Sequence, residues 1–120
     1  MPLNNHMCDR HFLLVLTLVS MVGTNSNAER VPFSQLYRHF YREDGVPGGR
    51  ELWRIWRDSS RELHSSGIDD DLAQLHERAY VFIDGRSVMP TQKALRLIDR
   101  FVEDHIRTML PEEAKAHIFP

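Results

Sequence analysis

The stretch FLLVLTLVSMVGTNSNA, Phe12 to Ala28, constrains this chain more than any other. Its apolar run, Phe12 to Val22, is interrupted only by Thr17 and Ser20. As a helix it would extend about 16 Å at about 1.5 Å per residue, roughly half of a bilayer core of about 30 Å. Gly23, Thr24 and Asn25 then break it, and Ser26-Asn27-Ala28 sets small side chains at the minus-three and minus-one positions of a signal-peptidase site. The expectation is a secretory signal peptide over residues 1–28, cleaved after Ala28. The alternative is an uncleaved anchor, or a buried first helix of a cytosolic protein.

Cleavage would leave residues 29–120, a length that allows one domain. The only cysteine, Cys8, would leave with the leader, so the exported chain would fold without a disulfide and depend on a packed core. With Arg10 and Asp9 also gone, 14 Lys and Arg face 16 Asp and Glu without a block of one sign. A nucleic-acid partner is disfavoured by that balance. The expected location is periplasmic or secreted.

The remaining chain shows helical spacing and no sustained strand alternation. From Pro32 to Glu43, residues Phe33, Leu36, Tyr37, Phe40 and Tyr41 form one apolar stripe, with Pro32 suited to the first turn. Asp44 to Gly49 is a glycine-rich loop. A second helix is expected over Arg50 to Ser65, with Leu52, Ile55, Trp56, Ser59 and Leu63 inward and Trp53 at its margin, ending at Gly67. A third starts at Asp69 or Asp70 and carries Leu72, Leu75, Ala79, Phe82 and Ile83 to the stop at Asp84-Gly85. Tyr80 to Ile83 could instead be a short strand, being aromatic and β-branched. Thr91 caps a fourth helix with Leu95, Ile98, Phe101, Val102, Ile106 and Met109 on one face. Pro111-Glu112-Glu113 opens a last short helix that packs Ala114 and Ile118. The expected fold class is all-α, a compact bundle of four to five short helices with antiparallel neighbours.

No catalytic constellation stands out. Asp69-Asp70-Asp71 lacks the alternation and closing glutamate of a calcium loop and reads as an acidic helix start. His39, His64, His76, His105 and His117 contain no pair at the three- or four-residue spacing of a helical zinc site. None of the serines lies in a nucleophile elbow. No metal, no cofactor and no enzyme activity are expected. Arg50, Arg54, Arg57 and Arg61, spaced four, three and four apart beside Trp53, would line one face of the second helix. Arginine and tryptophan are enriched at binding hot spots; a solvated face laced by Asp58 and Glu62 is the competing explanation. The polar turn Asp84-Gly85-Arg86-Ser87 can project towards a partner. The candidate partner-binding residues are Trp53, Arg54, Arg57, Asp84, Arg86 and Ser87.

The segment YVFIDGRSVMPTQKALRLIDRFVEDHI, followed by a short helix to AHIFP, resembles the periplasmic type VI secretion amidase immunity proteins. The shared pattern is a helix, a glycine-containing turn, an amphipathic helix, a proline-acid restart and a Phe-Pro ending. The resemblance implies a non-enzymatic inhibitor that blocks the groove of a peptidoglycan amidase toxin, often as a homodimer. The alternatives are an exported helical adaptor or chaperone for envelope proteins, and an uncleaved intracellular regulator.

Overall fold

In the computed structural model, which describes residues 7–24, 30–42 and 48–109, the apolar run forms most of helix α1, Asp9–Thr24. Phe12, Leu14, Val15 and Leu18 recur at helical steps and are buried. They pack α1 against both of the later long helices and a strand of the main sheet. The Phe12 ring meets Phe101 edge to face, centroids 5.0 Å apart. No helix among the described residues is long and apolar enough to cross a membrane.

After strand β1 (Val31–Pro32), helix α2 (Phe33–Tyr41) buries Phe33, Leu36, Tyr37 and Phe40, the stripe expected from its spacing. Helix α3 is a single turn, Gly49–Leu52, and here the structure departs from the sequence pattern. The expected helix over Arg50 to Ser65 stops at Leu52, and strands β2 (Trp56–Arg57) and β3 (Leu63–His64) pair antiparallel in its place. Trp56 faces His64 in that register. Two local causes act together. Arg54 takes a left-handed φ of 50°, which reverses the chain beyond Trp53 and ends the helix. The Asp58 carboxylate then accepts from the amides of Ser60 and Glu62 at 2.8 and 2.9 Å, a turn that competes with helix for the same donors.

The tryptophans are consequently inverted. Trp53, expected at a helix margin, is 1% exposed, whereas Trp56, expected in the core, is 55% exposed. Trp53 packs on Phe40 with centroids 4.4 Å apart, and its carbonyl accepts from Ser65 Oγ at 2.7 Å. Ser65 also caps helix α4 (Ser66–Glu77), its Oγ accepting from the Ile68 amide at 3.0 Å. Gly67 therefore lies in the first turn of α4 and ends no earlier helix. A Cβ at this position would stand 2.9 Å from the Trp53 carbonyl oxygen, so the approach of the two segments requires glycine.

Helix α4 ends before Tyr80. The Ala79 amide donates to His76 O and the Tyr80 amide to Leu75 O, with Ala79 left-handed at φ 66°, a Schellman arrangement. The chain continues as β4 (Val81–Asp84) and β5 (Ser87–Pro90), a hairpin in register Val81↔Pro90 to Asp84↔Ser87. Gly85, at φ 62°, takes the first position of its two-residue turn. The strand alternative for Tyr80 to Ile83 is thus realised from Val81 onwards, because β-branched and aromatic residues gain cross-strand partners once Ala79 has closed the helix. β1 completes a three-stranded sheet of order β1-β5-β4, pairing Val31 with Val88.

Thr91 precedes helix α5 (Gln92–Met109), its carbonyl accepting from Leu95 and its Oγ1 donating to Ala79 O. Ala94 and Ile98 are buried, Leu97 and Phe101 pack at the edge of the core, and Val102 faces solvent. The fold is mixed α/β, not the all-α bundle expected from helical spacing: five helices and two small antiparallel sheets among the described residues. The loop over Asp44 to Pro47, the small-residue stretch Ser26 to Ala28 and the last helix from Pro111 lie outside the described residues.

Candidate functional site

Three elements meet around a polar groove of about 790 Å³. One wall is α2, contributing Phe33, Tyr37, Arg38, Tyr41 and Arg42; the opposite wall is the β2–β3 hairpin, with Arg57, Arg61, Glu62, Leu63 and His64. Arg86 and Ser87, from the β4–β5 turn, close one end. Tyr37 and Tyr41 share a flank of α2 at i, i+4, as do Arg38 and Arg42, so one short helix delivers both aromatic and cationic groups.

The cations are held in different ways. The Arg86 guanidinium lies over Phe33 at 4.6 Å, donates to Tyr37 Oη at 2.8 Å and sits 3.7 Å from Asp69 Oδ2. Tyr37 Oη in turn donates to Asp69 Oδ1. Burial, followed by that carboxylate neighbour, pushes the Tyr37 phenol up to about 12. Arg57 lies over the Tyr41 ring at 5.1 Å, and Arg50 lies over it at 3.8 Å while donating to the Tyr41 carbonyl at 2.7 Å. Arg38 and Arg61 are exposed and have no acidic partner among the described residues. Five arginines therefore face one lining carboxylate, Glu62. Such a groove attracts anionic groups; of its rings Phe33 and Tyr37 are buried, and only Tyr41 is partly exposed to a ligand.

The hairpin wall is stiffened by Asp58. Its Oδ1 accepts from the Ser60 amide and hydroxyl and from the Glu62 amide, and its Oδ2 lies 2.7 Å from His64 Nε2. These bonds, from Ser60 first and then His64, hold the Asp58 carboxyl far below the ordinary carboxylate range.

Of the residues singled out in the sequence, Arg57, Arg86 and Ser87 line the groove. Asp84 stands beside the turn, paired with Arg30. Arg54 is exposed at the left-handed turn and lies outside the groove lining, and Trp53 is buried in the core. The arginine face expected on one helix does not form, since Arg50 is in α3, Arg54 in a turn, Arg57 in β2 and Arg61 in the hairpin loop. The sequence reading missed Tyr37, Arg38, Tyr41 and Arg42 as lining residues. The paired Tyr and Arg spacing on α2 was the available signal.

A second polar cluster forms around Asp71. Asp71, 1% exposed, accepts Trp53 Nε1 at 2.8 Å, pairs with Arg10 Nε at 2.5 Å and Nη2 at 3.0 Å, and meets His11 Nε2 at 3.2 Å. The acidic helix start expected at Asp69-Asp70-Asp71 therefore has one member that clasps α1 and the Trp53 turn to α4. Comparison of the chain with protein-family models, with characterised proteins and with solved structures returns no match.

Proposed function

We propose that this protein is a non-enzymatic binding protein, and that the groove between α2 and the β2–β3 hairpin docks an acidic segment of a protein partner. The observation that carries this is the convergence of five arginines around the half-buried Tyr41 on one concave surface. Charge-assisted hydrogen bonds from arginine to carboxylate are directional and strong, and they supply specificity where the surface excludes water. The test is the double reversal Arg38→Glu and Arg61→Glu, two exposed positions whose side chains make no ion pair among the described residues. The native partner, captured from the host and cross-linked, should map to Tyr41, Arg57 and Arg86, weaken with salt and be lost in the double variant. Equal capture by both proteins would overturn the proposal.

As a narrower form, we propose an exported immunity protein that inhibits a cell-wall amidase. It draws support from the small-x-small stretch Ser26-Asn27-Ala28 and from the amphipathic α5. Part of its pattern has gone, because the segment expected as a helix before Gly85 is strand β4. Loss of protection against amidase-bearing neighbours on deletion would support it, and unchanged survival would sink it. One observation favours the uncleaved intracellular alternative: α1 places Phe12, Leu14, Val15 and Leu18 in the core and Arg10 on buried Asp71. The intact mass of the protein from its host separates the two addresses. The groove is built from residues beyond Ser26-Asn27-Ala28, and it serves the exported form only if residues 29–120 keep their fold without α1.

A further inference from the structure

The β2–β3 hairpin gathers three potential metal ligands. Asp58, Glu62 and His64 each offer one donor atom, and these atoms lie within 4.8 Å of one another. The sequence reading passed over them because it sought histidine pairs on a helix. A hairpin loop brings residues i, i+4 and i+6 together by a different route.

Two of the three donors are already positioned. Asp58 Oδ1 is engaged by three hydrogen bonds from Ser60 and Glu62, which orients the carboxylate and leaves Oδ2 facing His64 Nε2 at 2.7 Å. The His64 ring is stacked on Trp56, its cross-strand neighbour, with centroids 4.6 Å apart and planes 29° apart. The Glu62 carboxylate is exposed and makes no hydrogen bond or ion pair among the described residues. Its carboxylate oxygen already lies within 4.8 Å of the other two donors.

We propose that Asp58, Glu62 and His64 form a binding site for a divalent transition-metal ion of the zinc class. One imidazole nitrogen with two carboxylate oxygens suits zinc, nickel or cobalt, whereas calcium and magnesium favour all-oxygen sets. With metal–ligand bonds of about 2.0–2.2 Å, tetrahedral neighbours lie about 3.3 Å apart, within reach of the present spread. Water completes the coordination. The ion takes the Nε2 lone pair, so the proton now between Nε2 and Oδ2 moves: to Nδ1 through solvent from neutral imidazole, or to bulk water from imidazolium. Bound metal also adds positive charge at the groove edge. The site itself does not depend on what the groove binds.

Trp56 provides the readout, because it touches His64 while Trp53 is buried and tied to Asp71. Nickel chloride titrated into the full-length protein should quench Trp56 emission saturably with one ion per chain, and zinc chloride should displace it and restore the emission. Glu62→Gln should weaken both metals at least about 10-fold, and His64→Gln should abolish the one-site response. Trp56→Phe should remove the quench while zinc still binds by calorimetry. Circular dichroism confirms that Glu62→Gln is folded, as expected of a side chain with no structural bond. Absence of saturable binding at millimolar metal would overturn the proposal. So would one-site binding unchanged in both Glu62→Gln and His64→Gln, which would assign the ion to other histidines.

Discussion

Removal of residues 1–28 is expected to cost this protein its native fold. The truncation deletes α1, whose Phe12, Leu14, Val15 and Leu18 are buried against α4, α5 and β5. At about 1.5–3 kcal/mol for each fully buried large side chain, these four account for about 6–12 kcal/mol, an upper figure because unfolded chains already hide some surface. That equals most of the about 5–15 kcal/mol by which a typical domain is stable. The truncation also strips Arg10 and His11 from Asp71 and leaves its carboxylate with Trp53 Nε1 as its one remaining partner among the described residues. Urea unfolding followed by circular dichroism, with amide dispersion by NMR, compares residues 29–120 with the full chain. The fragment should show poor dispersion and no cooperative transition. A cooperative transition with a midpoint close to that of the full chain would refute the reasoning, and would leave α1 free to be a removable leader. Asp71→Asn tests the clasp alone. It should lower stability by about 3 kcal/mol, the bottom of the range for breaking a buried ion pair, because Arg10 remains 44% exposed. A loss below about 1 kcal/mol would place the clasp in the class of surface pairs.

Three further outcomes are expected. Acrylamide should quench Trp56 far more than Trp53, so Trp56→Phe leaves a blue-shifted, protected emission; equal quenching would restore the single-helix reading of Arg50 to Ser65. Ala79→Gly should stabilise by about 1 kcal/mol, since Ala79 has φ 66° and only glycine adopts that region without strain; a destabilisation in urea would count against the Schellman turn. Tyr37 should ionise near 12, raised from 10.0. A raised folded pKa means that its contribution to stability is complete below about pH 10 and is lost as pH climbs towards 12. Tyrosinate absorbance in wild type and Tyr37→Phe measures this, and a Tyr37 midpoint near 10 would refute its burial beside Asp69.

How far the sequence could be read depended on whether local forces decided each element. The apolar stripe of α2 and the Thr91 cap were legible, because helical period and capping chemistry act within a few residues; of the face expected on α5, Ile98 and Phe101 pack on the core while Val102 is exposed and Ala94 and Leu97 pack instead. Arg57, Arg86 and Ser87 could be singled out by residue type, but not as members of one groove. Arg50 to Ser65 misled because its apolar residues fall at helical steps, while the signals for Asp58-Ser59-Ser60 as a turn were absorbed into the helix.

By itself the sequence determined a few boundaries: Pro32 at the start of α2, Gly85 at a turn, Thr91 ahead of α5, and one long apolar run that must be buried or removed. Only the tertiary structure decided which tryptophan enters the core, that Asp71 is a buried clasp rather than a helix-start acid, and that Asp58, Glu62 and His64 converge. The physical reason is separation along the chain. Asp71 Oδ1 and Arg10 are 61 residues apart, and Arg86 and Tyr37 are 49 apart. Hydrophobic period and turn preference act over a few residues; partners so distant meet only when packing of α1, α2 and the two hairpins has closed the chain between them.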